Sequence, residues 1–371
     1  MLSIVVISYN YARYLPTAVE SALIQDGPRE VIVVDDGSTD DSMEVLANYR
    51  DRIQVIQKPN GGHASAVYTG FMAARGNTII FLDSDDVLYG SCASVVREHM
   101  SKGTSKVQYR LDTIGAEGED KQLPFPDYAP GMDPDYVFKA AVEKGWYPCP
   151  VTSGNAWSRQ YLATVLPVPD DRFRNNTDGY LNVLAPLYGK VISVPQVLGA
   201  YRVHGGNHWA GGGNLAWSRY LRHEIERHEL FQQHAERLHI PVREDALLHS
   251  PQHLECRMLS LRFTRERHPV PEDRRPALLA RSAQGLMRSP DLSVVARLIW
   301  TAYLALLAVA PVALLERLVP MLRGAEGRSG WVRKVISWTR ARPPAAPAKQ
   351  IATPVGPVPS RKCLEDAGAS L

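Results

Sequence analysis

The sequence predicts an α/β fold, a mainly parallel sheet flanked by helices, followed by a C-terminal helical region. Short β-rich runs alternate with helix-patterned segments through the first third of the chain, the order that builds βαβ units. Those runs are nearly all apolar, as expected of strands covered on both faces. Past the glycines at 211–213 the pattern turns helical.

Strands are predicted at 2–8, 30–35, 53–57 and 78–82. After the first, Leu15, Val19, Ala22 and Leu23 share one helical face. Ser38 or Thr39 is expected to cap the second helix, with Asp40 and Asp41 in its first turn, where the helix dipole favours negative charge. The third and fourth helices are expected at 64–74 and 91–102. From 113 to 150 the chain is rich in Gly, Pro and Asp and predicts long loops around one helix at 134–144. Loops that long in a compact domain are usually functional. Order is expected to resume at 152–159, with a helix at 179–187 and strands at 191–194 and 198–203. The expected divisions are an α/β domain at 1–210, a helical extension at 211–290, an apolar and then basic segment at 291–342, and a disordered Pro/Ala-rich tail at 343–371.

A chain of 371 residues with 45 % hydrophobic content suffices for one large or two small domains with a proper core. Its 42 basic and 39 acidic side chains leave a net charge of +3, so no overall field points to nucleic acid as a partner. Cys92, Cys149, Cys256 and Cys363 lie far apart without a CxxC pair, so neither zinc nor a disulfide framework is expected, and a reducing, cytoplasmic setting fits. The start, Met1-Leu2-Ser3-Ile4-Val5-Val6-Ile7, lacks the positive charge of a signal peptide and runs directly into a strand.

Ligands of open α/β sheets bind beyond the carboxyl ends of the strands. Here those ends read Ser8-Tyr9-Asn10, Asp35-Asp36-Gly37-Ser38, Asn60-Gly61-Gly62-His63 and Asp83-Ser84-Asp85-Asp86, and all four are expected to converge on one crevice. A dinucleotide site wants glycines after the first strand, and Tyr9-Asn10-Tyr11-Ala12-Arg13 has none, which argues against a nicotinamide or flavin dehydrogenase. Clustered carboxylates at Asp83, Asp85 and Asp86 repel one another unless a cation is present, and hard oxygen ligands suit Mg²⁺ or Mn²⁺ bridging a diphosphate. Taken alone, an acidic turn capping the next helix accounts for the same residues.

Together these stretches resemble the family 2 glycosyltransferases of the GT-A fold, over about residues 2–209. Ile4-Val5-Val6-Ile7-Ser8-Tyr9-Asn10 is similar to the family's opening strand, Val33-Val34-Asp35-Asp36-Gly37-Ser38-Thr39-Asp40 to its nucleotide-binding turn, and Phe81-Leu82-Asp83-Ser84-Asp85-Asp86 to its DxD motif. The resemblance implies a nucleotide-sugar site at Ser8, Tyr9, Asn10, Asp35, Asp36, His63, Asp83, Ser84 and Asp85, with Tyr9 against the base, Asp83 nearer the ribose and Asp85 on the metal. Thr152-Ser153-Gly154-Asn155-Ala156-Trp157-Ser158-Arg159 resembles the family's strand lining the sugar pocket, which assigns Ser153, Gly154, Asn155 and Trp157 to the acceptor side. Asn175-Asn176-Thr177-Asp178-Gly179-Tyr180 resembles the Glu-Asp base motif, with Thr177 where the family usually has Glu, and Val67-Tyr68 replaces the usual Arg-Asn after Asn60-Gly61-Gly62. Tyr201-Arg202-Val203-His204 is similar to the closing Tyr-Arg-x-His, which adds His204 to the metal.

What this implies is transfer of a sugar, with inversion, from a nucleoside diphosphate carrier, UDP by resemblance, to a hydroxyl of a glycan or lipid-linked acceptor of bacterial surface polysaccharide type. Asp178 is the expected base, and Mn²⁺ or Mg²⁺ on Asp85 and His204 the expected cofactor. Four alternatives stand beside these assignments. Asp178 caps its helix only; Tyr9 packs against the sheet; His204 is a loop histidine satisfied by backbone; Trp146, Tyr147 and Trp157 fill the core instead of stacking on sugar rings. The rival functions are a sugar-phosphate nucleotidyltransferase, whose Gly-rich basic loop after the first strand is absent here, and a non-catalytic glycan-binding protein, against which stand the acidic cluster and the base.

His223, His228, His234 and His239 step five and six residues apart, which scatters them round a helix as solvated side chains. The uncharged run 298–315 contains Pro311 and is followed by Arg317, Arg323, Arg328, Arg333, Lys334, Arg340 and Arg342. A span would carry that basic stretch outside, against the positive-inside tendency, so peripheral attachment to an anionic inner leaflet is expected, the alternative being a helical hairpin packed on the protein.

Overall fold

The four predicted strands form where the apolar runs lie, as β1 (Leu2–Ser8), β2 (Arg29–Asp35), β3 (Gln54–Gln57) and β4 (Thr78–Asp83). The computed structural model describes residues 1–119, 124–126, 128, 132–169, 171–205, 216–289 and 292–323. Four further strands, β5 (Val87–Leu88), β6 (Thr104–Ile114), β7 (Asn155–Ser158) and β8 (Lys190–Arg202), complete an eight-stranded sheet in the order β3-β2-β1-β4-β7-β6-β8-β5. Pairing is parallel from β3 through β4 and between β6 and β8, while β7 and β5 run antiparallel to their neighbours.

Both faces of the sheet are covered, which is why β1 and β2 show no polar alternation. Val5, Ile7, Ile32, Val34 and Phe81 pack beneath α3 (His63–Ala73), α5 (Pro134–Lys144) and α7 (Thr177–Tyr188). Ile4, Val6, Val31, Val33 and Leu82 point the other way, toward α1 (Leu15–Leu23) and α4 (Cys92–His99). α2 (Ser42–Ala47) begins later than expected, with Asp41 as its N-cap. Ser38 and Thr39 are occupied elsewhere: the Asn10 amide donates to Ser38 Oγ at 2.9 Å, and the Thr39 amide donates to Asn10 Oδ1 at 2.7 Å.

The two strands expected at 191–194 and 198–203 are one, β8. Pro195, which has no N–H to give a ladder, sits where the register jumps from Tyr109↔Val194 to Arg110↔Val197, so the apparent break is an irregularity inside a continuous strand. β6 is absent from the predicted strands because Lys106 and Gln108 interrupt its apolar pattern, although both are fully buried. α6 (Arg159–Val165) follows β7.

Beyond the sheet lie α8 (Ala216–Arg237), α9 (Pro251–Phe263), α10 (Arg275–Arg288), α11 (Val294–Val309) and α12 (Val312–Arg323). α8 joins two cores: Leu230, Phe231 and Ala235 pack under the sheet's helices, and Trp217 and Leu221 pack with Leu254, Met258 and Leu304. Asp273 ties the segment before α10 to α9, accepting from Arg257 at 2.6 and 2.8 Å and pairing with His268 at 3.0 Å. Burial works to raise its pKa, yet His268 and Arg257 outweigh it and hold the carboxyl at about 2.

The run 298–315 is not one helix. α11 stops at Val309 and α12 starts at Val312, with Pro311 between, and among the described residues no helix is long and apolar enough to cross a membrane. The expected solvation of His223, His228, His234 and His239 fails for three of the four. His228 is buried, His223 and His234 are half-buried beside Phe173 and Tyr188, and only His239 is exposed, because α8 is sandwiched between two cores. Cys92, Cys149 and Cys256 are free thiols. The boundary at 210, Cys363 and the tail at 343–371 fall outside the described residues.

Candidate active site

Parallel register brings the predicted strand ends level. Ser8 lies opposite Asp35, Ile7 opposite Asp83, and Asp35 opposite Gln57, so three polar termini share one edge of the sheet. At that edge Ser8 Oγ, Asp35 Oδ2 and Ser84 Oγ are buried without a hydrogen-bond partner among the described residues. Buried polar atoms in a folded protein are normally paired, so this row of orphans marks a place where a polar ligand belongs. Tyr9 stands beside them, 45 % exposed. Asn10 turns the chain in the left-handed region, φ 58°, which asparagine tolerates.

Asp36 does something different. It accepts from Lys58 Nζ at 2.5 Å, from the Gly61 amide at 3.0 Å and from the Gly62 amide at 2.7 Å, and so folds the Asn60–Gly62 loop over the strand ends. Gly62 has φ +85°, and a Cβ there would lie 2.6 Å from the Arg174 side chain.

The acidic cluster is anchored from several directions. Ser153 Oγ donates to Asp86 Oδ2 at 2.6 Å and accepts from the Asp83 amide at 3.1 Å; the Arg202 amide donates to Asp86 Oδ1 at 2.8 Å. Asp85 Oδ2 lies 3.0 Å from His204 Nε2, and the His204 ring stacks on Tyr14 at 5.2 Å. Burial, then Asp83, raises the Asp85 carboxyl, and burial with Asp85 and Asp83 pushes Asp86 well above the usual carboxylate range. Among the described residues no group of three His, Cys, Asp or Glu converges on one point.

His63, the first residue of α3, links this cluster to the opposite wall. Its Nε2 lies 3.1 Å from Asp83 Oδ1 and its Nδ1 2.9 Å from Thr177 Oγ1. Burial disfavours the charged ring, but Asp83 outweighs it and the pKa is raised. Asp178 follows in the first turn of α7, half-buried, its Oδ1 accepting from the Gly179 amide at 2.8 Å. Burial raises its carboxyl, only partly countered by His63.

Residues 3–160 match the family described as glycosyl transferase family 2. That segment belongs to glycosyl transferase family 2. An uncharacterized glycosyltransferase of Nostoc sp. is 33 % identical over 216 residues, covering 56 % of this chain and 66 % of that protein. The uncharacterized glycosyltransferase EpsJ of Bacillus subtilis is 37 % identical over 119 residues, 31 % of this chain and 33 % of that one. The chondroitin synthase of Pasteurella multocida is 42 % identical over 92 residues, 24 % of this chain and 10 % of that one. The chain thus spans less than two thirds of the length of the curated relatives it matches. In fold it is similar to S. aureus TarS 1-349, solved in complex with UDP-GlcNAc, with a TM-score of 0.50 at 15 % identity over 87 % of this chain and 91 % of that one.

The four residues expected on the acceptor side divide. Thr152–Gly154 forms a short 3₁₀ turn at the crevice end of β7, where Ser153 braces the acidic cluster and Gly154 leaves room for Pro150, 2.4 Å from where a Cβ would sit. Because β7 runs antiparallel to β4, each residue onward moves away from the crevice. Asn155 is fully buried, holding Lys106 Nζ at 3.0 Å, and Trp157, opposite Ile79, is 1 % exposed and stacked on Tyr161. Trp157 is therefore a core residue, not a pocket wall.

Sequence reasoning missed Lys106. Its ammonium is fully buried between Asn155 Oδ1 and Asn182 Oδ1 and faces the Tyr147 and Trp157 rings at 5.2 and 5.1 Å. Burial brings its pKa down to about 7. The only signal was a lysine in an otherwise strand-like run. Arg202, whose Nε donates to the Asp85 carbonyl at 2.8 Å, lay within the closing motif but had no expected role.

Proposed function

We propose that the chain is an inverting glycosyltransferase that moves a sugar from a nucleoside diphosphate carrier, UDP, to an acceptor hydroxyl. The observation that supports this reading most is His63, which ties Asp83 to Thr177 and so sets the raised Asp178 carboxyl beside the strand-end acids. Asp178 takes the acceptor hydroxyl proton while that oxygen bonds to the anomeric carbon. The bond from that carbon to the phosphate oxygen breaks as the new one forms, its electron pair leaves with the diphosphate, and one displacement inverts the configuration. Ser8, Asp35 and Ser84 offer unpaired polar atoms to the nucleoside, and the exposed Tyr9 ring offers it a face. A glycan product agrees with the 92-residue similarity to chondroitin synthase.

The residues present fit a divalent cation. Asp85 and His204 offer one carboxylate and one imidazole, and Mn²⁺ or Mg²⁺ is commonly held by one or two protein groups with the remainder supplied by substrate phosphates. When bound, the cation neutralises the diphosphate. Calorimetry with UDP is expected to show binding with Mn²⁺, and none in EDTA or in Asp85→Asn. Unchanged binding in both removes the metal from the site, and a product anomer that keeps the donor's configuration removes inversion.

The enzyme also meets its acceptor at a membrane in this reading. α11 is apolar on two faces: Ala296, Leu304, Leu307 and Ala308 are buried, while Val295, Leu298, Ala302, Leu306 and Val309 form an exposed stripe, continued by Val312 and Leu314 on α12. The basic residues that follow in sequence complement an anionic inner leaflet, which commits this face to lipid. Full-length protein is expected to float with anionic vesicles, and Leu298→Glu/Val309→Glu to stay unbound. Equal flotation of both overturns the assignment.

A further inference from the structure

A second concavity, open to solvent, lies behind the base, between α5, α7, α8 and α9. It begins at Asn182, which stands one turn beyond Asp178 on α7 and so shares its face. Trp146 stands on the rim, 38 % exposed, directly after the glycine that ends α5. Tyr147 is fixed beside it by donating to the Asn182 carbonyl at 2.5 Å.

The polar lining is unevenly satisfied. His253 is buried; its Nδ1 lies 3.1 Å from Glu224 Oε2, and its Nε2 has no partner among the described residues. Glu224 is thereby engaged. Arg227, one turn further along α8, lines the same space, and no carboxylate pairs with it among the described residues. Its charge reaches the reaction side, since it counts among the groups that lower the Asp178 carboxyl against burial. A cleft with an aromatic ring at its rim, an uncommitted guanidinium on one wall and an unpaired buried imidazole nitrogen on another has the chemistry for a sugar that carries negative charge. Aromatic rings offer an apolar face with little entropy to lose, and a guanidinium binds carboxylate or phosphate oxygens two at a time.

We infer that this cleft is the acceptor subsite, and that it takes a sugar ring bearing an anionic group, packed on Trp146 and bound through Arg227. The acceptor role rests on Asp178 as base; the binding of an anionic sugar does not. α8 then supplies part of the substrate site, although it lies beyond the segment that matches the family.

Ligand-observed NMR titrations with glucuronate, glucose 6-phosphate and glucose test this on the full-length protein. Glucuronate or the phosphate is expected to bind with Kd on the order of 1 mM, at least about fivefold tighter than glucose. The anion that binds tells a carboxylate acceptor from a phosphorylated one. Arg227→Met is expected to abolish the preference for charge, and Trp146→Ala, on the rim, to weaken all binding with the fold intact by circular dichroism. Equal binding of glucose and both anions, or a preference that survives Arg227→Met, overturns the proposal. A UDP titration of wild type runs beside it: failure there removes the donor reading and leaves anionic sugar binding standing on its own result.

Discussion

Lys106 makes a prediction whose size follows from its surroundings. An ammonium titrates near 10.4 in water and at about 7 in this fold, so carrying it charged into the core costs about 5 kcal/mol. Between those two values the unfolded chain binds the proton and the native one does not, so stability rises with pH across the window. The gain from about pH 7 to about pH 9 is about 2 kcal/mol. In Lys106→Met the Asn155 and Asn182 oxygens lose their donor, at about 1–3 kcal/mol each, which offsets much of what removing the buried charge returns near neutrality. Stability at one pH therefore decides little. Urea unfolding followed by tryptophan fluorescence, run on wild type and variant across that range, isolates the lysine, because other titrations such as the Cys92 thiol, pushed up to about 12 by burial, cancel in the difference. Parallel curves would refute the lowered pKa of the buried Lys106 amine.

Asp178→Asn is expected to lower turnover by about two to four orders of magnitude. Because the Asp178 carboxyl is raised, the wild-type rate should fall, on acidification, at a higher pH than an ordinary carboxylate would impose; a variant that retained more than about a tenth of the rate would move the base elsewhere. Trp157→Ala should cost about 3–5 kcal/mol in denaturant unfolding, whereas Tyr9→Ala should leave stability within about 0.5 kcal/mol and weaken UDP binding, and the reverse pattern would undo both placements. Asp273, held at about 2, contributes about 2.5 kcal/mol that is present above its unfolded pKa near 3.9 and lost as pH falls through its folded value. Wild type is accordingly expected to lose stability more steeply below about pH 4, and Asp273→Asn to lack that steepening in acid unfolding.

The crevice was legible because its parts are punctuation. A strand covered on both faces reads as an unbroken apolar run, so the polar residues that end it stand out, and β1, β2 and β4 deliver Ser8, Asp35 and Asp83 to one edge as their spacing implies. Asp36 and Trp157 look alike on paper to residues that face a ligand, yet one spends its oxygens on the Lys58–Gly62 loop and the other points into the core. Which way a side chain of a short antiparallel strand faces depends on register, and four residues of β7 carry too little pattern to fix it. β6 and α8 were misread for one reason. Polar residues buried by tertiary contacts, Lys106 in one and His228 in the other, imitate exposure in a sequence.

α8 turns a boundary in the sequence into something other than a joint in the machine. Its Leu230 and Phe231 belong to the core beneath the sheet, and its His223 lies 3.3 Å from Asn176, the residue that opens the base helix. A hybrid assembled by cutting near residue 210 and attaching a foreign C-terminal half would therefore lose packing under its own candidate site. A cut after Arg237 would keep α8 with α7 but part Trp217 and Leu221 from Leu254, Met258 and Leu304, so neither side of α8 is a clean joint.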